Sequence, residues 1–137
     1  MLDSIVITAA NEAADNARDL AKKNYALSEC GIAIEVIRVD KNGEYNWTCS
    51  FERIIGENPN AQYRKVLREY TSSSHGGLLE GRPKAPFGWS GSPYVCLHDE
   101  IVSPHGDERF SIMACAVGGT RSQNETLAKF VLDSIAI

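Results

Sequence analysis

Gly31–Glu52 reads GIAIEVIRVDKNGEYNWTCSFE, and this stretch decides the fold class. Two runs rich in β-branched and aromatic residues flank Asn42-Gly43, the dipeptide preferred in the two-residue type I′ turn of a β-hairpin. Such a turn sets Asp40 against Tyr45, Arg38 against Trp47, Val36 against Cys49 and Ile34 against Phe51, all on one face because alternate residues point the same way. That face is apolar at Ile34, Val36, Cys49 and Phe51, and the pairing predicts a cation–π contact of Arg38 over Trp47. On the other face the second strand carries Asn46, Thr48, Ser50 and Glu52, which predicts exposure.

Upstream of the hairpin, Leu2, Ile5, Val6, Ala9, Ala13, Ala17, Leu20 and Ala21 recur at spacings of three and four, the mark of an amphipathic helix with an alanine-rich face. Downstream, Pro59 starts a second helix whose stripe is Tyr63, Val66, Leu67 and Tyr70. Its end is expected at Thr71–Ser74, where hydroxyls compete for backbone hydrogen bonds. Gly76–Pro93 then holds five of the eleven glycines and three of the five prolines. That density predicts a long loop, and Phe87 and Trp89 within it predict a lid or an oligomer contact rather than a linker. YVCLHDEIV and RFSIMACAV read as two strands joined by a Pro-Gly turn, and a last helix carries Leu127, Phe130, Val131 and Ile135 inward. Helix, two strands, helix, loop, two strands, helix is an α+β order, with room for a further strand in the loop.

The 137 residues suit one domain, 1–137, and the formal charge of −4 with scattered Lys and Arg gives no nucleic-acid-binding surface. No apolar run is long enough for a membrane span. Asp3 and Glu12 stand where a signal peptide needs a basic start and an apolar centre, so the protein is read as cytoplasmic. Cys30, Cys49, Cys96 and Cys115 lack CxxC spacing and are expected to be free, mostly buried thiols.

Between the last strand and helix lies Gly118-Gly119-Thr120-Arg121. Ser122 and Glu125 match a capping box, which makes this a strand-to-helix corner. Such a corner either simply turns the chain or offers backbone N–H groups, a helix N-terminus and Arg121 to an anion. Among the histidines, His75 is placed at the exit of the second helix and is the first candidate metal ligand. His98 follows Cys96 at the spacing Cys-x-His, two possible ligands without a matching second pair. His105 falls in a turn. Asp99, Glu100, Asp107 and Glu108 near the last hairpin read as a solvated turn.

AVGGTRSQNETLAKF resembles the C-terminal signature of the GlcG/HbpS-like family of small heme-binding proteins, whose strands end in a Gly-Gly-Thr corner before an acidic helix. The hairpin with Val39, Asp40 and Gly43 is similar to that family's first hairpin, and SGSPYVCLHDEIV to its Gly-x-Pro-led strand. FERIIGENPN and the Ser-Ser-Ser-His-Gly-Gly exit depart from the family pattern. The resemblance implies a profilin-like α/β/α sandwich with an antiparallel sheet of about five strands. It also implies homo-oligomers, tetramers to octamers, and a small-molecule ligand, with heme or a related tetrapyrrole as the cofactor. In that reading His75 is the axial ligand and metal residue. Phe87 and Trp89 cover the ring, Arg82, Lys84 or Arg121 meet its carboxylates, and Gly118, Gly119 and Thr120 complete the pocket. An enzyme acting on a small carboxylate or phosphate is the alternative, with Arg121 and the corner amides holding the anion and His75 or His98 moving protons. A structural subunit of an assembly is the third.

Overall fold

In the computed structural model, residues 2–26, 30–55, 61–79, 94–102 and 108–135 are described. Their elements are helix α1 (Leu2–Asn24), strands β1 (Cys30–Val39) and β2 (Tyr45–Ile55), helix α2 (Ala61–Leu79), strands β3 (Tyr94–Val102) and β4 (Arg109–Val117), and helix α3 (Arg121–Ile135). The order of elements is the expected one. The four strands form one antiparallel sheet in the order β2-β1-β4-β3. The expected sheet was of about five strands; of the loop left open for a further strand, Gly76–Pro93, residues 76–79 are helical instead, as the end of α2, and 80–93 lie outside the described residues.

The sheet is covered on both faces. Ile32, Ile34, Val36, Phe110, Ile112, Ala114 and Ala116 pack against α1 and α3. The alternate residues Ala33, Met113, Cys115 and Val117 pack against α2 through Leu67. The result is a three-layer α/β/α sandwich. Central strands β1 and β4 are therefore buried along nearly their whole length instead of alternating. The buried stripe of α1 is Val6, Ala10, Ala13, Ala14, Ala17 and Ala21, small residues that let the helix approach closely. Ile5, expected on that stripe, is 53% exposed. No helix among the described residues is long and apolar enough to cross a membrane.

The hairpin forms, with a different turn. Gly43 N–H donates to the Asp40 carbonyl at 2.9 Å, and Asp40 N–H to the Glu44 carbonyl at 3.0 Å. Asp40 Oδ1 accepts from the amides of Asn42 and Glu44 at 2.8 and 3.0 Å. Lys41, Asn42 and Gly43 thus make a three-residue loop, with Gly43 in the left-handed region at φ 80°. The extra loop residue sets Val39 against Tyr45, Arg38 against Asn46 and Ile37 against Trp47. A bulge after Val36 then restores the expected pairs Val36–Cys49 and Ile34–Phe51. Arg38 consequently does not lie opposite Trp47. It approaches Glu108 at 3.9 Å, and Trp47 is 66% exposed.

Two further expectations are corrected. Ser50 and Glu52 are half-buried, because α2 covers their face and Arg68 pairs with Glu52. Helix α2 does not fade at Thr71–Ser74 but runs to Leu79. Thr71 Oγ1 donates back to the Leu67 carbonyl at 2.8 Å, so this hydroxyl is satisfied inside the helix. At the next buried turn His75 is held by Glu35 and Ser111 of the sheet.

Candidate functional site

Four polar side chains meet between α2 and the sheet. Glu35 interrupts the apolar run of β1, Ser111 that of β4, His98 lies on β3, and His75 comes down from α2. His75 and Ser111 are completely buried and Glu35 is 5% exposed. A carboxylate so placed is costly unless it is partnered, and His75 Nδ1 lies 3.0 Å from Glu35 Oε1. His75 Nε2 lies 2.8 Å from Ser111 Oγ, and Ser111 Oγ lies 2.6 Å from His98 Nε2. The two imidazole rings are 5.9 Å apart.

The carboxylate gives this chain a direction. In the neutral tautomer in which His75 donates from Nδ1 to the Glu35 carboxylate, its Nε2 lone pair accepts the Ser111 hydroxyl proton. The Ser111 oxygen then accepts from His98 Nε2–H, and His98 Nδ1 is the outer end. His98 is half-buried, the most accessible member. Burial, and next the neighbouring His75, push its pKa below the ordinary value of 6.5, against the pull of Glu100 and Asp99. The void beside Glu35, bounded by Ala33, Ser50, Arg68 and Thr71, is about 10 Å³, room for a single water.

His75 is thus part of the site, in a different role from an axial ligand. Both ring nitrogens are hydrogen-bonded and the residue has no exposed surface, so as placed it does not fit heme iron. No group of three or more His, Cys, Asp or Glu among the described residues is arranged to hold a metal ion. Gly118, Gly119, Thr120 and Arg121 lie at the other end of β4 from Ser111. Seven residue steps along the strand separate Ser111 from Gly118, about 24 Å at about 3.4 Å each. The structure does not bring this corner and His75 into one pocket.

Two of the corner's amides, those of Gly119 and Thr120, are also occupied. Thr120 N–H donates to Gln123 Oε1 at 2.9 Å and Gln123 N–H to Thr120 Oγ1 at 3.2 Å. This is a capping box two residues ahead of the expected Ser122–Glu125 pair. Gly119 N–H donates to Asn124 Oδ1 at 3.0 Å. Gly118 supplies a φ of 111°, and a Cβ on Gly119 would come within 2.9 Å of Gln123 Oε1. The two glycines serve the turn and the cap; Arg121 is exposed. Arg82, Lys84, Phe87, Trp89 and His105 lie outside the described residues.

Cys96 is not a ligand beside His98. It faces Cys115 across the β3–β4 pair and is disulfide-bonded to it, against the expectation of four free thiols. Cys30 and Cys49 are free and buried, and burial pushes both thiols up to about 11.

Glu35 and Ser111 are the members that the sequence reading missed. Each left a signal: a single polar residue inside an otherwise apolar strand, GIAIEVI and FSIMACAV. Comparison with family models, with curated proteins and with solved structures gives no match. The functional reading rests on the site's geometry.

Proposed function

We propose that this chain is an enzyme that moves a proton to or from a small polar substrate, with His98 as the group that meets it. The observation behind this reading is the unbroken chain of hydrogen bonds from buried Glu35 to accessible His98. As a base, His98 Nδ1 takes the substrate's proton. The proton on His98 Nε2 passes to Ser111 Oγ, and the Ser111 hydroxyl proton passes to His75 Nε2. The positive charge ends on His75, against the Glu35 carboxylate. Run backwards, the same steps make His98 an acid. A general base of this kind accelerates proton transfer by about 10²–10⁴-fold.

Exchange of substrate protons with solvent tests the reading directly. A panel of small ketones, hydroxy acids and phosphate esters is incubated with the protein in deuterated water and followed by proton NMR. The reading predicts a compound whose acidic C–H signal fades with wild type and persists with His98→Gln. Fading at the same rate with both proteins contradicts it, as does a panel in which no compound exchanges.

A further inference from the structure

The disulfide and the hydrogen-bonded chain share two strands and one face. Cys96 on β3 stands directly opposite Cys115 on β4, with Cα atoms 4.1 Å apart. His98 is two residues along from Cys96, and Ser111 four residues back from Cys115. Among the described residues, β3 pairs with β4 alone. The edge strand is thus tied to its neighbour by backbone bonds, by the disulfide and by the 2.6 Å contact of His98 with Ser111. The two residues differ in exposure: Cys115 has no exposed surface and Cys96 is half-buried. Cys30 and Cys49 pack on the other face of the sheet, with α1 and α3. They cannot reach the disulfide without unfolding.

We propose that Cys96–Cys115 is a reversible thiol–disulfide exchange site, entered by an external thiol at Cys96, and that its state sets the His98–Ser111 contact. The external thiolate attacks Cys96 Sγ. A bond forms between those two sulfurs, the Cys96–Cys115 bond breaks, and the electron pair leaves on Cys115 Sγ, which then takes up a proton from solvent. A second external thiolate attacks the first external sulfur and releases Cys96, which is protonated in turn. Two external thiols are oxidised to one disulfide, and the protein disulfide is reduced to two thiols by two electrons and two protons. Freed of the cross-link, the edge strand carrying His98 is held to β4 by hydrogen bonds and to the α3 side by the packing of Leu97 and Ile101. The exchange stands whether or not the proton-transfer reading does; only its consequence for His98 uses the same contact.

The test equilibrates the folded chain with graded mixtures of reduced and oxidised glutathione, quenches in acid, alkylates in denaturant and maps peptides by mass spectrometry. Cys96 and Cys115 are expected to pass from bonded to alkylated across the series with the circular dichroism unchanged, and Cys30 and Cys49 to be alkylated throughout. In a Cys115→Ser variant, oxidised glutathione is expected to add to Cys96. The His98 ring signals in NMR should shift between the two ends of the series. A Cys96→Ser/Cys115→Ser variant should show the reduced-form signals without any reductant. A bond that survives the most reducing mixture until denaturant is added overturns the proposal, and so does unfolding on reduction, which would make it a structural staple. His98 signals identical in the two forms overturn the control of the contact.

Discussion

Ser111 holds two imidazoles at once, through one hydroxyl group at 2.8 and 2.6 Å. Replacing it by alanine leaves His75 Nε2 buried with no partner. Ser111→Ala should therefore cost about 1–3 kcal/mol, read as a lower urea midpoint with an unchanged slope. His98 carries a pH dependence of definite sign. The unfolded chain takes up its proton near 6.5, and the folded chain only at lower pH. Between those values the unfolded state binds more protons, so stability rises with pH. The contribution is complete above 6.5 and is lost as pH falls through that window. The melting temperature of wild type should drop on acidification there, and that of His98→Gln should drop less. At this scale the sequence was legible in part. His75 and His98 stood out as titratable groups. Glu35 and Ser111 did not, because a lone polar residue in a strand acquires meaning only from what the opposite layer brings to it.

At the scale of elements, identity was readable and register was not. All seven elements follow from apolar spacing and turn residues, because those signals are local. The hairpin's turn was misread by one residue. Asn-Gly suits a two-residue turn, but Asp40 Oδ1 captures two amides and draws Lys41 into the loop. Helix α2 outran its hydroxyl-rich end because Leu67, Thr71 and His75 are buried against the sheet, and tertiary contacts override propensity. The start of α3 shows a local signal displaced: a capping box was expected at Ser122–Glu125 and is built by Thr120 and Gln123. Thr120→Ala should destabilise the protein by about 1 kcal/mol, measured by thermal or urea denaturation, while Ser122→Ala should leave it nearly unchanged.

For the whole molecule, what decides the architecture is that both faces of the sheet are covered. One face carries two helices and most of the apolar core; the other carries α2, a small apolar cluster and the polar chain. Leu67 is the fully buried side chain that seats α2 in that cluster. Leu67→Ala should cost about 2–5 kcal/mol in urea denaturation, and it should also loosen His75, two turns along the same helix. The α+β mix was legible from the order of elements, whereas the three layers were expected only from the family resemblance. Which polar groups meet between them was not, since Glu35, His75, His98 and Ser111 come from four elements far apart in sequence. The central claim is that these four residues form one proton-conducting unit. The measurement that tests it most directly is a ¹⁵N NMR titration of the His98 ring in wild type and in Glu35→Gln. The account predicts that wild-type His98 titrates below 6.5 and that the Glu35→Gln change, made at the far end of the chain, displaces its curve. Superimposable curves, or a wild-type His98 with the ordinary imidazole value, would contradict it.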